Sequence, residues 1–170
     1  GVALRLASTN PPHATSGNGV TVLDITGAIS RAQANIYQGK DTSKIVYTST
    51  RTGRPQIWVM NSDGSNQMQL IVSDSDDTQP CWSPDGTLIA FVRNSGTNIY
   101  KLYIVNSDGS GLRLLTSQTY LQNPTWNPDG KRLAFQYDTN QYTVIGTVTT
   151  QANGLTTLSA PVGSINTFPA

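Results

Sequence analysis

The sequence predicts an all-β fold made of repeated four-stranded antiparallel units. Two motifs recur in the same order at a nearly constant spacing. The pattern Pro-x-Trp-x-Pro-Asp-Gly occupies residues 80–86 and returns at residues 124–130. The pattern Asn-Ser-Asp-Gly-Ser occupies residues 61–65 and returns at residues 106–110. Because two independent motifs share one period of about 44 residues, the chain contains an internal repeat.

Both motifs have the residues of tight turns between β-forming segments. Proline presets φ at the first turn position, aspartate bonds the neighbouring backbone, and glycine supplies a positive φ. Apolar segments flank each turn, which predicts two hairpins in every repeat. Four short strands in about 44 residues have the size of one β-propeller blade. The residues that recur in both copies of the motif are Trp82, Pro84, Asp85, Gly86, Trp126, Pro128, Asp129 and Gly130. We expect the two tryptophans to lie in the core between blades.

The repeat resembles a known family. Residues 80–91 read Pro-Cys-Trp-Ser-Pro-Asp-Gly-Thr-Leu-Ile-Ala-Phe, and residues 57–65 read Ile-Trp-Val-Met-Asn-Ser-Asp-Gly-Ser. This pattern is similar to the TolB-type, WD40-like β-propeller repeat, and the resemblance covers residues 44–131. It implies a β-propeller of four-stranded antiparallel blades that binds another protein without catalysis. Relatives of the prolyl-oligopeptidase type contain a similar repeat, and in them catalysis resides in a separate α/β domain.

The repeat divides the chain into four approximate copies within a single domain, 1–170. The copies are a diverged first segment, 1–43, and then 44–87, 88–131 and 132–170. Strands are expected at 34–38 in the first copy and at 132–137, 142–148 and 155–158 in the last. An irregular loop is expected at 10–19. The repeat starts at the second strand of one blade, and residues 165–170 are expected to be the first strand of a further blade. This arrangement allows a small closed ring, part of a larger ring, or a ring completed by assembly.

Composition excludes some functions. The net charge is +1 and only 12% of the residues are charged, so bulk charge does not favour nucleic-acid binding. All ten acidic residues are aspartate, and the abundance of Thr, Asn and Ser favours strands and turns. The absence of an apolar run of about 18 residues argues against membrane insertion. A weakly charged, Thr-rich surface favours a periplasmic or extracellular location, as a processed chain or as part of a longer one.

Catalytic and metal-binding patterns are scarce. The sole histidine is His13, no Gly-x-Ser-x-Gly motif is present, and Cys81 is a single cysteine. A nucleophile needs a base, so the sequence predicts no enzymatic activity and no cofactor. The weak calcium candidate is Asp74 with Asp76 and Asp77, although a solvated loop between blades explains these carboxylates more simply.

The predicted binding surface is the end of the blades that carries variable loops, since function on rigid scaffolds resides in such loops. These loops differ between copies while the turns at the other end stay alike. Arginine and tyrosine are the usual anchors of protein interfaces. The candidate binding residues are therefore Arg51, Arg54, Arg93, Tyr120 and Tyr137, with ordinary surface roles as the alternative.

Three functions remain open. The first is a non-catalytic scaffold that binds a protein partner or another copy of itself. The second is a structural subunit of an extracellular filament or surface assembly, joined by strand exchange. The third is a propeller that binds carbohydrate or gates a peptidase.

Overall fold

The structure is a computed structural model, which describes residues 16–17, 20–21, 34–38, 43–139 and 141–158. Every regular element in these ranges is a β-strand, as the all-β prediction requires. In chain order the strands are β1 (Ser16–Gly17), β2 (Val20–Thr21), β3 (Ala34–Gln38), β4 (Ser43–Ser49), β5 (Gln56–Asn61), β6 (Met68–Gln69), β7 (Asp76–Trp82), β8 (Leu88–Asn94), β9 (Ile99–Asn106), β10 (Arg113–Trp126), β11 (Arg132–Asp138), β12 (Thr143–Thr149) and β13 (Thr156–Leu158). No membrane-spanning helix candidate was found in the part of the chain that the structure describes.

The strands assemble into antiparallel blades that follow the repeat. Strands β3 to β6 form a four-stranded sheet in chain order, here called blade A. Strands β7 to β13 form one seven-stranded sheet, because β10 takes part in two blades. Residues 113–119 of β10 pair with β9 and complete blade B, which begins with β7 and β8. Residues 122–126 of β10 pair with β11 and open blade C, which continues with β12 and β13.

The strand predictions can be checked against these blades. The expected strand at 34–38 is β3, and the expected strands of the last copy are β11, β12 and β13. The expectation of an irregular loop throughout 10–19 was wrong at its end, because Ser16 and Gly17 pair with Thr21 and Val20 in a short antiparallel ladder. Ring closure through 165–170 lies outside the described residues, as does His13.

The Pro-Asp-Gly turn joins β7 to β8 in blade B. Gly86 has φ +70° and donates its N–H to the Ser83 carbonyl at 2.9 Å. The Asp85 carboxylate accepts hydrogen bonds from the Ser83 hydroxyl at 2.6 Å and from the Thr87 N–H at 3.1 Å. The hydroxyl of Ser83 is the main cause of a lowered pKa at Asp85, and the bonds from Thr87 add to it. The aspartate therefore stabilises the turn.

The Ser-Asp-Gly-Ser turn is nearly identical in blades A and B. The Asp63 carboxylate accepts hydrogen bonds from the hydroxyl of Ser65 at 2.6 Å and from its N–H at 2.9 Å. Asp108 and Ser110 repeat the same two bonds at the same two distances. Both carboxylates have a lowered pKa, caused first by the serine hydroxyl and then by the serine N–H. This chemistry matches a hairpin cap, and each carboxylate is already bonded within its own turn.

The inner strands carry a bulge that links one blade to the next. Gln79 in blade B and Asn123 in blade C are repeat equivalents, and both have φ +55°. The pairing register shifts at both places. The Gln79 side-chain oxygen accepts the Asn123 N–H, and the Asn123 amide donates to Gln136 at 2.7 Å. The Gln79–Asn123 bond therefore joins the inner strands of blades B and C, and the Asn123–Gln136 bond continues within blade C.

The core consists of two apolar layers between blades. The layer between A and B contains Val46, Ile57, Val59, Ile71, Trp82, Ile89, Phe91 and Val105. The layer between B and C contains Cys81, Ala90, Val92, Leu102, Ile104, Leu115, Leu121, Leu133, Phe135, Tyr137, Val144 and Val148, with Trp126 packed against it. Trp82 is only 7% exposed, and the Trp126 indole N–H donates to the Cys81 carbonyl at 3.2 Å. Both tryptophans of the repeat motif therefore lie between blades.

Candidate functional site

The blades present two different ends. One end, here called the turn face, carries the Pro-Asp-Gly and Ser-Asp-Gly-Ser turns. The other end, here called the loop face, carries the links between second and third strands and the links between blades. These segments are residues 50–55, 95–98 and 139–142, with residues 70–75 and 120–121 between blades. All five predicted binding residues belong to the loop face or to strand ends beside it.

Arg93 is engaged in a buried ion pair. Its Nε lies 2.6 Å from Asp77 Oδ1, and its second guanidinium nitrogen lies 2.7 Å from Oδ2. The Asp77 side chain is fully buried, while that of Arg93 is 13% exposed. These hydrogen bonds are the main cause of a raised pKa at Arg93. The guanidinium carbon also lies 4.9 Å from the Tyr103 ring centroid and 5.5 Å from that of Phe91. Arg93 therefore joins β8 to β7 within blade B, and Asp77 connects this pair to the link from blade A by accepting the Ser73 hydroxyl at 3.0 Å.

Arg51 plays a comparable part in blade A. Its guanidinium carbon lies 4.3 Å from the Trp58 ring centroid. The guanidinium donates to Ser49 Oγ at 3.0 Å, to Gln67 Oε1 at 2.7 Å and to the Tyr47 hydroxyl at 3.1 Å. Burial raises the pKa of Tyr47 even though Arg51 acts in the opposite direction. With its donors engaged inside one blade, Arg51 is half-buried and has little capacity left for a partner.

Tyr137 occupies in blade C the repeat position that Arg93 holds in blade B. It is 8% exposed, and its hydroxyl shares a hydrogen bond with the Thr157 hydroxyl. The tyrosine and Phe135 lie over Gly146 of the neighbouring strand. A Cβ at that glycine would lie 2.8 Å from the Phe135 ring and 2.9 Å from the Tyr137 ring. Tyr137 therefore fills the core space that is left because Gly146 has no side chain.

Arg54 and the predicted calcium ligands lie at the link between blades A and B. Arg54 is exposed, and its guanidinium donates to the Asp74 backbone carbonyl. Asp74 is exposed and Asp76 half-buried, but Asp77 is buried and already holds Arg93 and the Ser73 hydroxyl. No cluster of three His, Cys, Asp or Glu side chains suited to a metal ion was found among the described residues. Of this group, Arg54 stays accessible to a partner.

Tyr120 differs from the other candidates because its backbone is strained and its ring is exposed. It has φ +49°, which is unusual for a bulky side chain. The pairing register shifts between Thr119 and Gln122, so Tyr120 lies in a bulge. Its N–H donates to the Asn98 carbonyl at 3.0 Å, and its ring centroid lies 5.8 Å from that of Tyr100. The side chain is nevertheless 42% exposed. Bulges commonly redirect a side chain beside functional sites.

Three further residues lie at the same end of the blades as Tyr120 and were missed by the sequence reasoning. Ile99 and Tyr142 are 44% and 55% exposed, and Tyr100 is half-buried against Tyr120. Ile99 pairs directly with Thr119, and Thr119 pairs with Asp138 at the start of the loop that ends in Tyr142. We call the four loop-face residues Ile99, Tyr100, Tyr120 and Tyr142 the tyrosine patch; within it, Tyr100 and Tyr120 are in ring contact. The sequence feature that could have identified these residues is their position beside loops rich in Asn, Ser, Gly and Thr.

The loop segments beside the tyrosine patch carry no charged side chain. Residues 94–98 read Asn-Ser-Gly-Thr-Asn, and residues 139–141 read Thr-Asn-Gln. The nearby Asp138 carboxylate accepts a hydrogen bond from the Thr143 hydroxyl at 2.6 Å. Tyrosine supplies a large, rigid contact area, and Ser, Gly and Asn supply adaptable hydrogen bonds. This combination is the composition of protein-recognition loops.

Cys81 lacks the properties of a nucleophile. Burial raises the pKa of its thiol to about 12, and the thiol donates to the Pro124 carbonyl at 3.3 Å. Reactive cysteines require a lowered pKa and access to solvent. The thiol therefore acts as a small core group between blades B and C.

Comparison with known proteins identifies the repeat. The model of the TolB beta propeller domain, PD40, matches residues 19–170. The Tol-Pal system protein TolB of Anaeromyxobacter dehalogenans strain 2CP-C is 35% identical over 77 residues, which are 45% of this chain and 17% of that protein. The uncharacterized peptidase YuxL of Bacillus subtilis is 29% identical over 112 residues, which are 66% of this chain and 14% of that protein. The chain thus spans less than a fifth of the length of these relatives.

Solved structures agree on the architecture. TolB of Agrobacterium tumefaciens superposes with a TM-score of 0.68 at 18% identity, over 82% of this chain and 52% of that one. A chain of the nidogen/laminin complex gives 0.64 at 14% identity, over 82% and 51%. Oligogalacturonate lyase in complex with manganese gives 0.60 at 18% identity, over 78% and 37%. These likenesses concern the fold, and the match to the family model extends over most of the sequence. The chain belongs to the TolB β-propeller domain family.

Proposed function

We propose that this chain is a non-catalytic propeller scaffold that binds another protein through its loop face. The tyrosine patch is the centre of the contact, and Arg54 lies on the same face one blade away. The observation that carries the proposal is the backbone of Tyr120. A bulky residue held at positive φ costs free energy, on the order of 1–3 kcal/mol, and such strain concentrates at functional sites. Here the strain directs a large aromatic ring into solvent.

Rigid presentation of that ring favours binding. The hydrogen bond to Asn98 and the ring contact with Tyr100 restrain Tyr120 before a partner arrives. Less conformational entropy is then lost on association, which raises affinity. Exposed aromatic residues near the centre of an interface commonly provide most of the binding free energy.

The relatives support a protein partner. TolB proteins carry the name of the Tol-Pal system, and a chain of similar fold occurs in the nidogen/laminin complex. By this analogy we propose a location in the periplasm or outside the cell. The filament alternative and a peptidase-gating role remain predictions, since the described residues supply no observation that favours either.

Carbohydrate binding is the second candidate function. Tyrosine rings bordered by Asn, Thr and Gln also suit a sugar, whose apolar face stacks on an aromatic ring and whose hydroxyls bond the amides. One structural neighbour is an oligogalacturonate lyase. The uncharged loop segments beside the patch argue against an acidic sugar and leave neutral sugars as the alternative ligand.

Site-specific photo-crosslinking in the native host tests the proposal. A photoreactive phenylalanine is placed at Tyr120 or Tyr142, and the matched controls carry it on the turn face at Asp63 or Asp108. We expect a discrete protein adduct from the two loop-face positions and none from the controls. Adducts of equal yield from both faces, or adducts from the turn face alone, would contradict the assignment. A positive glycan array with no protein adduct would favour the second candidate.

A further inference from the structure

The hairpin turns of the blades contain two kinds of dipeptide that end in glycine. Among the described residues, one turn has the pair Asn153-Gly154, between β12 and β13, and the other pairs are Asp63-Gly64, Asp85-Gly86, Asp108-Gly109 and Asp129-Gly130. Glycine has no Cβ to shield its main-chain nitrogen or to restrict its backbone. That nitrogen can attack the carbonyl carbon of the preceding side chain and close a five-membered imide. The two kinds of turn differ in how far they block this reaction.

The Asp-Gly turns block the reaction at both partners. Each of their glycines donates its N–H to the main-chain carbonyl three residues earlier, at 2.8 to 3.0 Å. The pKa is lowered at Asp63, Asp85 and Asp108, first by the hydroxyl of a serine in the same turn. An ionised carboxylate is a poor electrophile and offers no neutral leaving group. These turns therefore protect their own Asp-Gly bonds.

The turn between β12 and β13 lacks both protections. Within the part of the chain that the structure describes, the Gly154 N–H makes no hydrogen bond. The Asn153 side chain is a neutral amide, whose nitrogen can leave as ammonia. Its Oδ1 accepts a hydrogen bond from the Thr149 hydroxyl at 2.5 Å, which polarises the carbonyl that is to be attacked. Asn153 and Gly154 are both exposed, so water reaches them.

The backbone of this turn is also strained. Thr149 donates its N–H to the Asn153 carbonyl, as Asn61 donates to Ser65 in blade A, so Ala152 takes the place of Gly64. Ala152 has φ +58°, a conformation that costs a residue with a Cβ about 1 kcal/mol. An exposed and strained turn opens locally more readily than a capped one. Local opening lets the Gly154 nitrogen reach the Asn153 side chain.

We propose that Asn153 is a site of spontaneous deamidation. The Gly154 nitrogen forms a bond to Asn153 Cγ while the bond from Cγ to Nδ2 breaks. The proton of the Gly154 N–H leaves with Nδ2 as ammonia. Water then opens the imide at either of its two carbonyls, which gives aspartate or isoaspartate. Both products add one negative charge, and isoaspartate also lengthens the main chain by one carbon atom.

The modification falls beside a short outer strand. β13 begins at Thr156 and is held to β12 by three residue pairs, and all three of its side chains are exposed. The Thr157 hydroxyl shares a hydrogen bond with the Tyr137 hydroxyl. A longer main chain in the turn disturbs the register of these pairs, and register decides which side chains meet. We expect isoaspartate at position 153 to loosen β13 from the outer edge of blade C.

Incubation of the complete folded chain in mildly alkaline buffer, followed by peptide mapping with mass spectrometry, tests the site. We expect Asn153 to be converted at least about tenfold faster than Asn66, which precedes a residue with a side chain. Asn127 is an internal control, because the nitrogen of Pro128 carries no proton and cannot form the imide. The Asn-Gly pair at 18–19 lies outside the described residues and is mapped on a separate peptide. Conversion of Asn153 in urea but not in the folded chain would overturn the proposal.

Gly154→Asn is the matched variant for the attacking nitrogen. Blade A has Asn66 at the equivalent position, with φ +51°. A Cβ at Gly154 would lie 3.7 Å from the Thr149 side chain, which is an ordinary contact. We expect the variant to keep its turn and to convert Asn153 at least about tenfold more slowly than the native chain. Conversion at the native rate would overturn the role of the Gly154 nitrogen.

Amide hydrogen exchange of β13 tests the consequence for blade C. Asn153→Asp supplies the negative charge without the longer main chain, so it separates the two effects. We expect faster exchange at residues 156–158 in the isoaspartyl form and native exchange in Asn153→Asp. Equal exchange in these two forms would overturn the loosening of β13 by isoaspartate.

Discussion

The Asp77–Arg93 pair offers a sharp test of how buried charge is stabilised in blade B. Blade C has two uncharged residues at the positions equivalent to this pair, because a shift of one repeat places Leu121 on Asp77 and Tyr137 on Arg93. Leu121 is 1% exposed and Tyr137 is 8% exposed, so the apolar pair is as well buried as the ionic one. We therefore propose to transplant it, with Asp77→Leu, Arg93→Tyr and the double variant compared in one thermodynamic cycle.

The structure sets the expected magnitudes. Arg93→Tyr leaves a fully buried carboxylate with the Ser73 hydroxyl as its remaining side-chain partner. Asp77→Leu leaves a largely buried guanidinium without its bidentate acceptor. Breaking a buried ion pair from one side costs about 3–5 kcal/mol, whereas replacing both partners by apolar residues is often close to neutral. We expect each single variant to lose about 3–5 kcal/mol and the double variant to lose no more than about 2 kcal/mol.

Urea unfolding followed by tryptophan fluorescence and circular dichroism measures these differences at neutral pH. The coupling free energy should be at least about 4 kcal/mol, far above the roughly 0.5 kcal/mol within which independent sites add. Arg113→Ala, at an exposed arginine of β10, controls for the loss of a positive charge and should change stability by no more than about 0.5 kcal/mol. Additive single variants would refute the strong coupling of this buried pair.

Three further predictions concern the core and the turns. Burial raises the pKa of the Cys81 thiol to about 12, so alkylation at pH 8 should be roughly a thousandfold slower in the folded chain than in urea. Mass spectrometry measures both rates, and equal rates would contradict the burial of the thiol. The folded-state pKa of Asp85 is lowered, so its ionised carboxylate stabilises the fold. This stabilisation is fully present at pH values above the unfolded-state pKa near 3.9, and it is lost as pH falls through the lower folded-state pKa. Thermal unfolding between pH 5 and 2 should therefore show a shallower acid loss in Asp85→Asn, and an unchanged profile would refute the capping role. Gly109→Ala should destabilise the fold by about 2 kcal/mol or more, because at φ +87° its Cβ would lie 2.7 Å from a backbone oxygen. Gly96→Ala has a similar φ of +92° but open space around the Cβ, so it should cost only about 1 kcal/mol. Equal losses in chemical unfolding would contradict the role of packing at Gly109.

The repeat made the fold predictable from sequence. The turns at Asp85 and Asp63 are encoded by neighbouring residues, so their hydrogen bonds can be anticipated from local chemistry. The tryptophans recur in register, and recurrence at a fixed spacing indicates a shared place between blades. The weak first copy still revealed β3, because a shift of one repeat places residues 34–38 where the inner strands of the later copies lie.

Most of the site could not be predicted in the same way. Arg51, Arg93 and Tyr137 are plausible interface anchors by residue type, but their roles depend on what lies across the blade. For Arg93 that is the carboxylate of Asp77, and for Tyr137 it is the small size of Gly146. Contacts of this kind are set by strand register, which the sequence pattern alone does not give at each position. The bulge at Tyr120 likewise follows from a register shift and not from a motif.

One measurement tests the central claim most directly: the affinity of Tyr120→Asn for the crosslinked partner, with its unfolding free energy determined in parallel. Asparagine tolerates positive φ, so the backbone strain is relieved while the exposed ring is removed. We predict stability within about 1 kcal/mol of the native chain and affinity reduced by at least about tenfold, as expected for an aromatic anchor. Unchanged affinity with unchanged stability would contradict the assignment of the tyrosine patch as the binding surface.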